Sequence, residues 1–170
     1  MDKEKALSFL KENQPMPNDK NLNESLISMY DEVRRYFLAN PDEECLPLFL
    51  NSFGEYGGMG VYQLVEDVIL KFKHDKVVSC LLDALKSKFN GVKYWCAQIC
   101  ALFPDEKLIT PLEKLLNDSS QDIRMSVITS LSQIQDEKVI TILKNQLSVE
   151  EDDEVKDFLI DVIEDVEGNI

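Results

Sequence analysis

Two octets 31 residues apart share six identical residues: Asp105-Glu-Lys-Leu-Ile-Thr-Pro-Leu112 and Asp136-Glu-Lys-Val-Ile-Thr-Ile-Leu143. The segments before them keep the same offset. Val92, Cys96, Cys100 and Phe103 correspond to Ile123, Val127, Leu131 and Ile134, and one period earlier to Val61, Val65, Ile69 and Phe72. Val155, Leu159, Ile163 and Val166 follow at an offset of 32. Each set is spaced i, i+4, i+8, i+11, which is one stripe of an α-helix. The second half of each unit repeats as well, through Val77, Val78 and Leu81, then Leu108, Ile109 and Leu112, then Val139, Ile140 and Leu143. Short polar turns separate the halves at 73–75, 104–106 and 135–137. Each unit is therefore predicted to be a helical hairpin, helix A followed by helix B. A lone hairpin cannot bury its apolar stripe, whereas stacked hairpins can. The period thus predicts an all-α chain, an α-solenoid of stacked helical hairpins with a repeat of about 31 residues.

The boundaries follow from that period. Residues 1–20 form a short helix, Lys3 to Glu12, and a linker. Residues 21–60 hold a divergent hairpin and a glycine-rich loop. Regular repeats occupy 61–91, 92–122 and 123–153, and an acidic capping helix occupies 154–170, all within one repeat domain. In the divergent hairpin, helix A is expected from Leu22 to Ala39, opened by a capping box of Asn21 and Glu24. Helix B is expected from Asp42 to Phe53. Pro47 and Pro111 fall early in B helices, where proline costs least.

At this point the residues resemble the HEAT-like repeat family in its short bacterial form. Asp118, Ile123 and Arg124 reproduce the family's acid in the turn before helix A and its Val-Arg opening. Glu150, Val155 and Lys156 follow the same pattern with Glu and Lys substituted. Ser87 stands at the acidic position one repeat earlier, and the unit containing Tyr62 lacks the basic residue. The resemblance is close over Val61 to Val166, weaker over Leu22 to Phe53, and absent from the first twenty residues. Its pattern pairs Arg124 with Asp118, an arrangement that contributes only about 0–1 kcal/mol if exposed. HEAT-like folds host many functions, so the fold alone does not assign one.

Charge narrows the partners. The 170 residues carry 32 acids against 18 Lys and Arg, for a net charge of −14. Binding nucleic acid or anionic lipid through phosphates needs clustered basic residues, so neither is an expected partner. A basic protein is. Residues 150–170 hold ten of the acids against Lys156 alone. No stretch is long and apolar enough to span a membrane, and the charged N-terminus has no secretory pattern. Four cysteines without a C-x-x-C pair, and the single His74, give no zinc spacing. Cys96 and Cys100 share a helical face and are expected to be buried, reduced thiols, which fits a cytoplasmic protein.

No nucleotide-binding, hydrolase or metalloprotease motif is present. The chain is expected to be non-enzymatic and to need no cofactor. Two partner-binding surfaces are predicted. The first is the anionic face of the capping helix, through Asp157, Asp161, Glu164 and Asp165. The second surrounds the glycine-rich segment 54–60, read as a flexible inter-repeat loop, with Tyr56, Met59 and Tyr62 as exposed anchors. Trp95 is expected to pack between repeats. The most concrete function is that of an acidic immunity protein neutralising a basic toxin, such as a nuclease whose cationic active site it covers. The alternatives are a HEAT-like scaffold or regulatory subunit and, through the family resemblance alone, a bilin-lyase-like enzyme or a DNA glycosylase. The last conflicts with the net charge.

Overall fold

Asp105 and Asp136, which open the repeated octets, perform the same local task. The Asp105 carboxylate accepts a hydrogen bond from the Lys107 amide at 2.9 Å, and that of Asp136 accepts one from the Lys138 amide at 2.7 Å. Each satisfies an amide that the start of a helix leaves without a partner. Asp118 and Asp152 act likewise in the turns between repeats, accepting from the amides of Ser120 and Glu154 at 3.0 Å each. The recurrence of Asp in the sequence is thus a recurrence of helix entry.

The computed structural model describes residues 1–168. Ten α-helices and no strand occur among them: α1 (Lys3–Glu12), α2 (Glu24–Ala39), α3 (Cys45–Leu50), α4 (Glu66–Ile69), α5 (His74–Ala84), α6 (Asn90–Cys100), α7 (Ile109–Leu115), α8 (Gln121–Ser132), α9 (Glu137–Val149) and α10 (Asp153–Gly168). Helices A and B alternate as the period predicts. None of these helices is long and apolar enough to cross a membrane.

Several boundaries differ from the sequence expectation, each for a local reason. Helix α2 is capped by Asn23, whose side chain accepts from the Leu26 amide at 2.8 Å. Asn21 instead closes a turn by donating its amide to the Asn18 carbonyl. Helix α3 is shorter than 42–53, because the Asn51 side chain takes the Pro47 carbonyl at 2.9 Å and ends it. The apolar stripe from Val61 does not form a continuous helix A. It runs through a 3₁₀ turn, Tyr62–Val65, before the single α turn of α4. Helix α7 is preceded by a 3₁₀ turn, Glu106–Leu108. Pro111 has no N–H to bond the Lys107 carbonyl, so a regular α-helix cannot hold from the start of the octet.

The chain divides into two compact units, Met1–Cys96 and the residues from Ala97 onward, with the boundary inside α6. In the first, α1 packs on α2 and α3, α2 on α4, and α3 on α5. Its centre is a run of edge-to-face aromatic contacts. Tyr30 lies 5.9 Å from Phe49 and 5.6 Å from Tyr62, and Phe53 lies 5.7 Å from Tyr62. In the second unit α7 packs on α8, α8 on α9, and α10 on both α8 and α9. Leu112, Val127, Leu131, Leu143, Val155 and Leu159 are fully buried there. The Ser130 hydroxyl, also buried, donates to the Ala97 carbonyl, so this polar group sits in the core with its partner made.

All four cysteines are reduced, and Cys45, Cys96 and Cys100 are buried. The Cys96 thiol donates to the Leu50 carbonyl at 3.3 Å. Burial pushes the Cys45 thiol up to about 12 and raises that of Cys100 as well. Both remain protonated at neutral pH and out of reach. A thiol reagent applied to the native protein is therefore expected to modify Cys80, which is partly exposed, well before the other three. Rapid native-state modification of Cys96 or Cys100 would remove them from the core.

Candidate functional site

The glycine-rich segment 54–60 is a pinned loop. Gly58 and Gly60 have φ of 55° and 88°, and so do two residues with side chains, Tyr56 at 72° and Met59 at 51°. Left-handed backbone at a non-glycine residue is unfavourable and persists only where the surroundings enforce it. Three contacts do so. The Gly58 amide donates to the Asp19 carboxylate at 3.0 Å, and the Trp95 indole N–H donates to the Tyr56 carbonyl at 2.9 Å. Gly91, at the start of α6, lies so close to Gly54 that a Cβ there would collide with the Gly54 carbonyl. The loop expected at 54–60 is thus held by contacts from residues outside the segment.

The three aromatic and methionine anchors separate. Tyr56 and Met59 are 61% and 54% exposed and point outward from the loop. Tyr62 is fully buried beneath it, which corrects its placement as a surface anchor. Its ring lies 6.0 Å from Trp95 and fills the space under Gly58. Its hydroxyl is buried against Gly54, and burial pushes its pKa up to about 12. Trp95 stacks on Phe53 at 5.6 Å and serves as the post on which the loop rests.

The anionic surface sits on α10. Val155, Leu159 and Ile163 are buried, which fixes the rotation of the helix. Asp157, Asp161 and Glu164 are exposed on the side away from that stripe, and Asp165, also exposed, flanks it beside Val162 and Val166. Glu167 pairs with Lys144, and Asp153 with Lys156 at 3.4 Å. Asp152 caps α10, its carboxylate accepting from the amides of Glu154 and Val155.

Glu150 is largely buried. Its side chain is 5% exposed and receives both arms of Arg124, Nε at 3.0 Å and Nη2 at 2.9 Å. Gln146 donates to it at 3.0 Å and to the Leu116 carbonyl at 3.2 Å. The remaining Arg124 nitrogen, Nη1, donates to the backbone carbonyl of Asp118 at 3.0 Å. The expected partner of Arg124 is thus corrected. Arg124 takes the carbonyl of Asp118 and grips the carboxylate of the next repeat's acid, because the Asp118 carboxylate is turned to the Ser120 amide. Burial pushes the Glu150 carboxyl up, but the hydrogen bonds from Arg124, Gln146 and the Asp152 amide outweigh it and hold the group below its ordinary 4.5.

Sequence reasoning missed Asp19, Gln146 and Gly91, the residues that hold these surfaces in place. Only Gly91 leaves a trace, as a glycine directly before the stripe residue Val92. Among the described residues, no three His, Cys, Asp or Glu side chains converge on a point where a metal could sit. The family described as HEAT repeats matches residues 68–164, more than half of the chain. No curated protein matches the chain significantly.

Proposed function

The chain belongs to the HEAT-repeat family, and from that premise we propose that it is a non-enzymatic binding protein for a basic partner protein. Repeats of this family typically serve as protein-interaction scaffolds. The most concrete form of the proposal is an acidic immunity protein that covers the cationic active site of a toxin, a nuclease for example. The observation that carries it is the exposure of Asp157, Asp161, Glu164 and Asp165 on a helix whose buried stripe fixes its orientation. Opposite charge steers encounter and raises the association rate, which suits an inhibitor. A scaffold or regulatory subunit is the second reading, favoured by the exposed Tyr56 and Met59 on a pinned loop, an apolar surface that charge does not explain.

The test begins with affinity capture from the native cell and identification of what is retained. The captured partner is expected to be basic, and its association rate to fall as salt rises, because screening at about 0.15 M limits charge interactions to roughly 8 Å. Replacing Asp157, Asp161, Glu164 and Asp165 by Asn or Gln is expected to slow association more than it speeds dissociation. A salt-insensitive rate, with this variant equal to wild type and Tyr56→Ala impaired, rejects the electrostatic reading in favour of the scaffold.

A further inference from the structure

Two clefts in series line the edge of the second unit where helices A turn into helices B. The smaller, about 570 Å³, lies between the turn that opens at Pro104 and the turn Gln133–Gln135. The larger, about 910 Å³, lies between that same turn and the last turns of α10. Gln133, Ile134 and Gln135 belong to both, so one ridge joins them. The larger cleft has an apolar wall of Ile134, Val162 and Val166. The residues lining the two clefts include five carboxylates and a single base, Lys107.

These carboxylates are not equivalent. Asp105 and Asp136 each cap a helix start. Glu106, Glu137 and Asp165 are exposed at the cleft mouths. An apolar wall beneath an acidic rim differs from the outer side of α10, which offers charge alone. Joined clefts also suit an extended chain better than one compact ligand, since pockets of such volume each hold a few groups.

We propose that this turn edge is a docking groove for an extended basic segment of the partner, its Lys or Arg side chains facing Glu106, Glu137 and Asp165 and an apolar side chain seated against Ile134, Val162 and Val166. The proposal rests on the reading of a basic partner and names where its chain lies. The charge of the groove complements that of the segment, and the apolar wall supplies the shape selectivity that a charged face lacks.

The experiment uses a short fluorescein-labelled peptide of Arg, Lys and Leu, a counterpart with Glu in place of every base, and anisotropy titration of the full chain. Two variants remove the same number of charges: Glu106→Gln/Glu137→Gln/Asp165→Asn in the groove, and Asp157→Asn/Asp161→Asn/Glu164→Gln outside it. All six positions are exposed, and circular dichroism checks that both variants keep wild-type helix content. The groove variant is expected to weaken binding of the basic peptide by about tenfold or more, and the outer variant by less than about threefold. Equal weakening by both overturns the groove and leaves the reading of a basic partner standing. Absence of binding to the wild type overturns the groove, while salt-sensitive association with the captured partner still upholds that reading. Equal binding of the acidic counterpart, together with salt-insensitive association of the captured partner, overturns both.

Discussion

Arg124→Ala is expected to lower the unfolding free energy by about 3–5 kcal/mol, because it leaves the Glu150 carboxylate buried without its counter-charge. An exposed pair with Asp118 would give about 0–1 kcal/mol. The geometry decides between these figures, with Glu150 at 5% and Arg124 at 13% side-chain exposure and two parallel hydrogen bonds between them. The loss is then of the same order as that of Leu131→Ala, a core truncation expected to cost roughly 2–5 kcal/mol. Urea denaturation with unchanged slope measures both. A loss below about 1 kcal/mol for Arg124→Ala would mean that water reaches the pair.

The same network gives the protein an acid-sensitive element. The Glu150 carboxyl is held below its ordinary 4.5 in the folded state. A depressed folded value makes the stabilisation complete above the unfolded value and lost as pH falls through the folded one. The wild type is therefore expected to lose part of its stability below pH 4.5. Arg124→Ala, which has already lost the main hydrogen bonds that depress Glu150, is expected to lose less over the same interval. Parallel acid curves for the two proteins would show that Glu150 does not titrate as its contacts imply.

Phe53→Ala is the second large effect, at about 3–5 kcal/mol. Phe53 is fully buried, stacked 5.6 Å from Trp95 and edge-to-face with Tyr62 at 5.7 Å. Its removal opens a cavity among rings, which repack poorly because their shapes are fixed, and it forfeits aromatic pairing of about 0.5–1.5 kcal/mol per contact. Trp95 is the only tryptophan, so its emission reports the change directly. A red shift in the native state is expected with the destabilisation. Tyr62→Phe is the matched control. It keeps the ring contacts and removes only the buried hydroxyl beside Gly54, so it is expected to cost far less than Phe53→Ala.

The parts of the fold that periodicity controls were legible in the sequence. The stripes at Ile123, Val127 and Leu131 and at Val155, Leu159 and Ile163 are buried as read, since helical spacing and apolar character are both local. The stripe at Val61, Val65 and Ile69 predicts the same helix, and the structure does not form it. Its apolar spacing is helical, but Gly58 and Gly60 bring the chain in through left-handed backbone, and a 3₁₀ turn results. Tyr62 was misplaced for a related reason. Its neighbours in sequence are the polar loop, while its neighbours in space are Tyr30, Phe53 and Trp95. Arg124 stands out in the sequence but its partner does not, because spacing to an acid in its own turn cannot reveal that the carboxylate is already engaged. The acids of 150–167 are legible as charge. Which of them a partner can reach is not, since capping, pairing and burial remove Asp152, Glu167 and Glu150 individually.

The contact between Gly54 and Gly91 bears on how the glycine loop can be transplanted. Residues 54–60 cannot be moved alone into another repeat protein, because half of what shapes them lies outside the segment. The receiving helix must carry a glycine where Gly91 stands, a tryptophan four residues later to reach the Tyr56 carbonyl, and a carboxylate placed like that of Asp19. A graft that supplied only the heptapeptide would meet a Cβ at the helix start, and Tyr56 and Met59 would relax out of left-handed backbone. The unit of exchange is therefore the loop together with its distant footings, and the presentation of Tyr56 and Met59 is a property of that whole assembly.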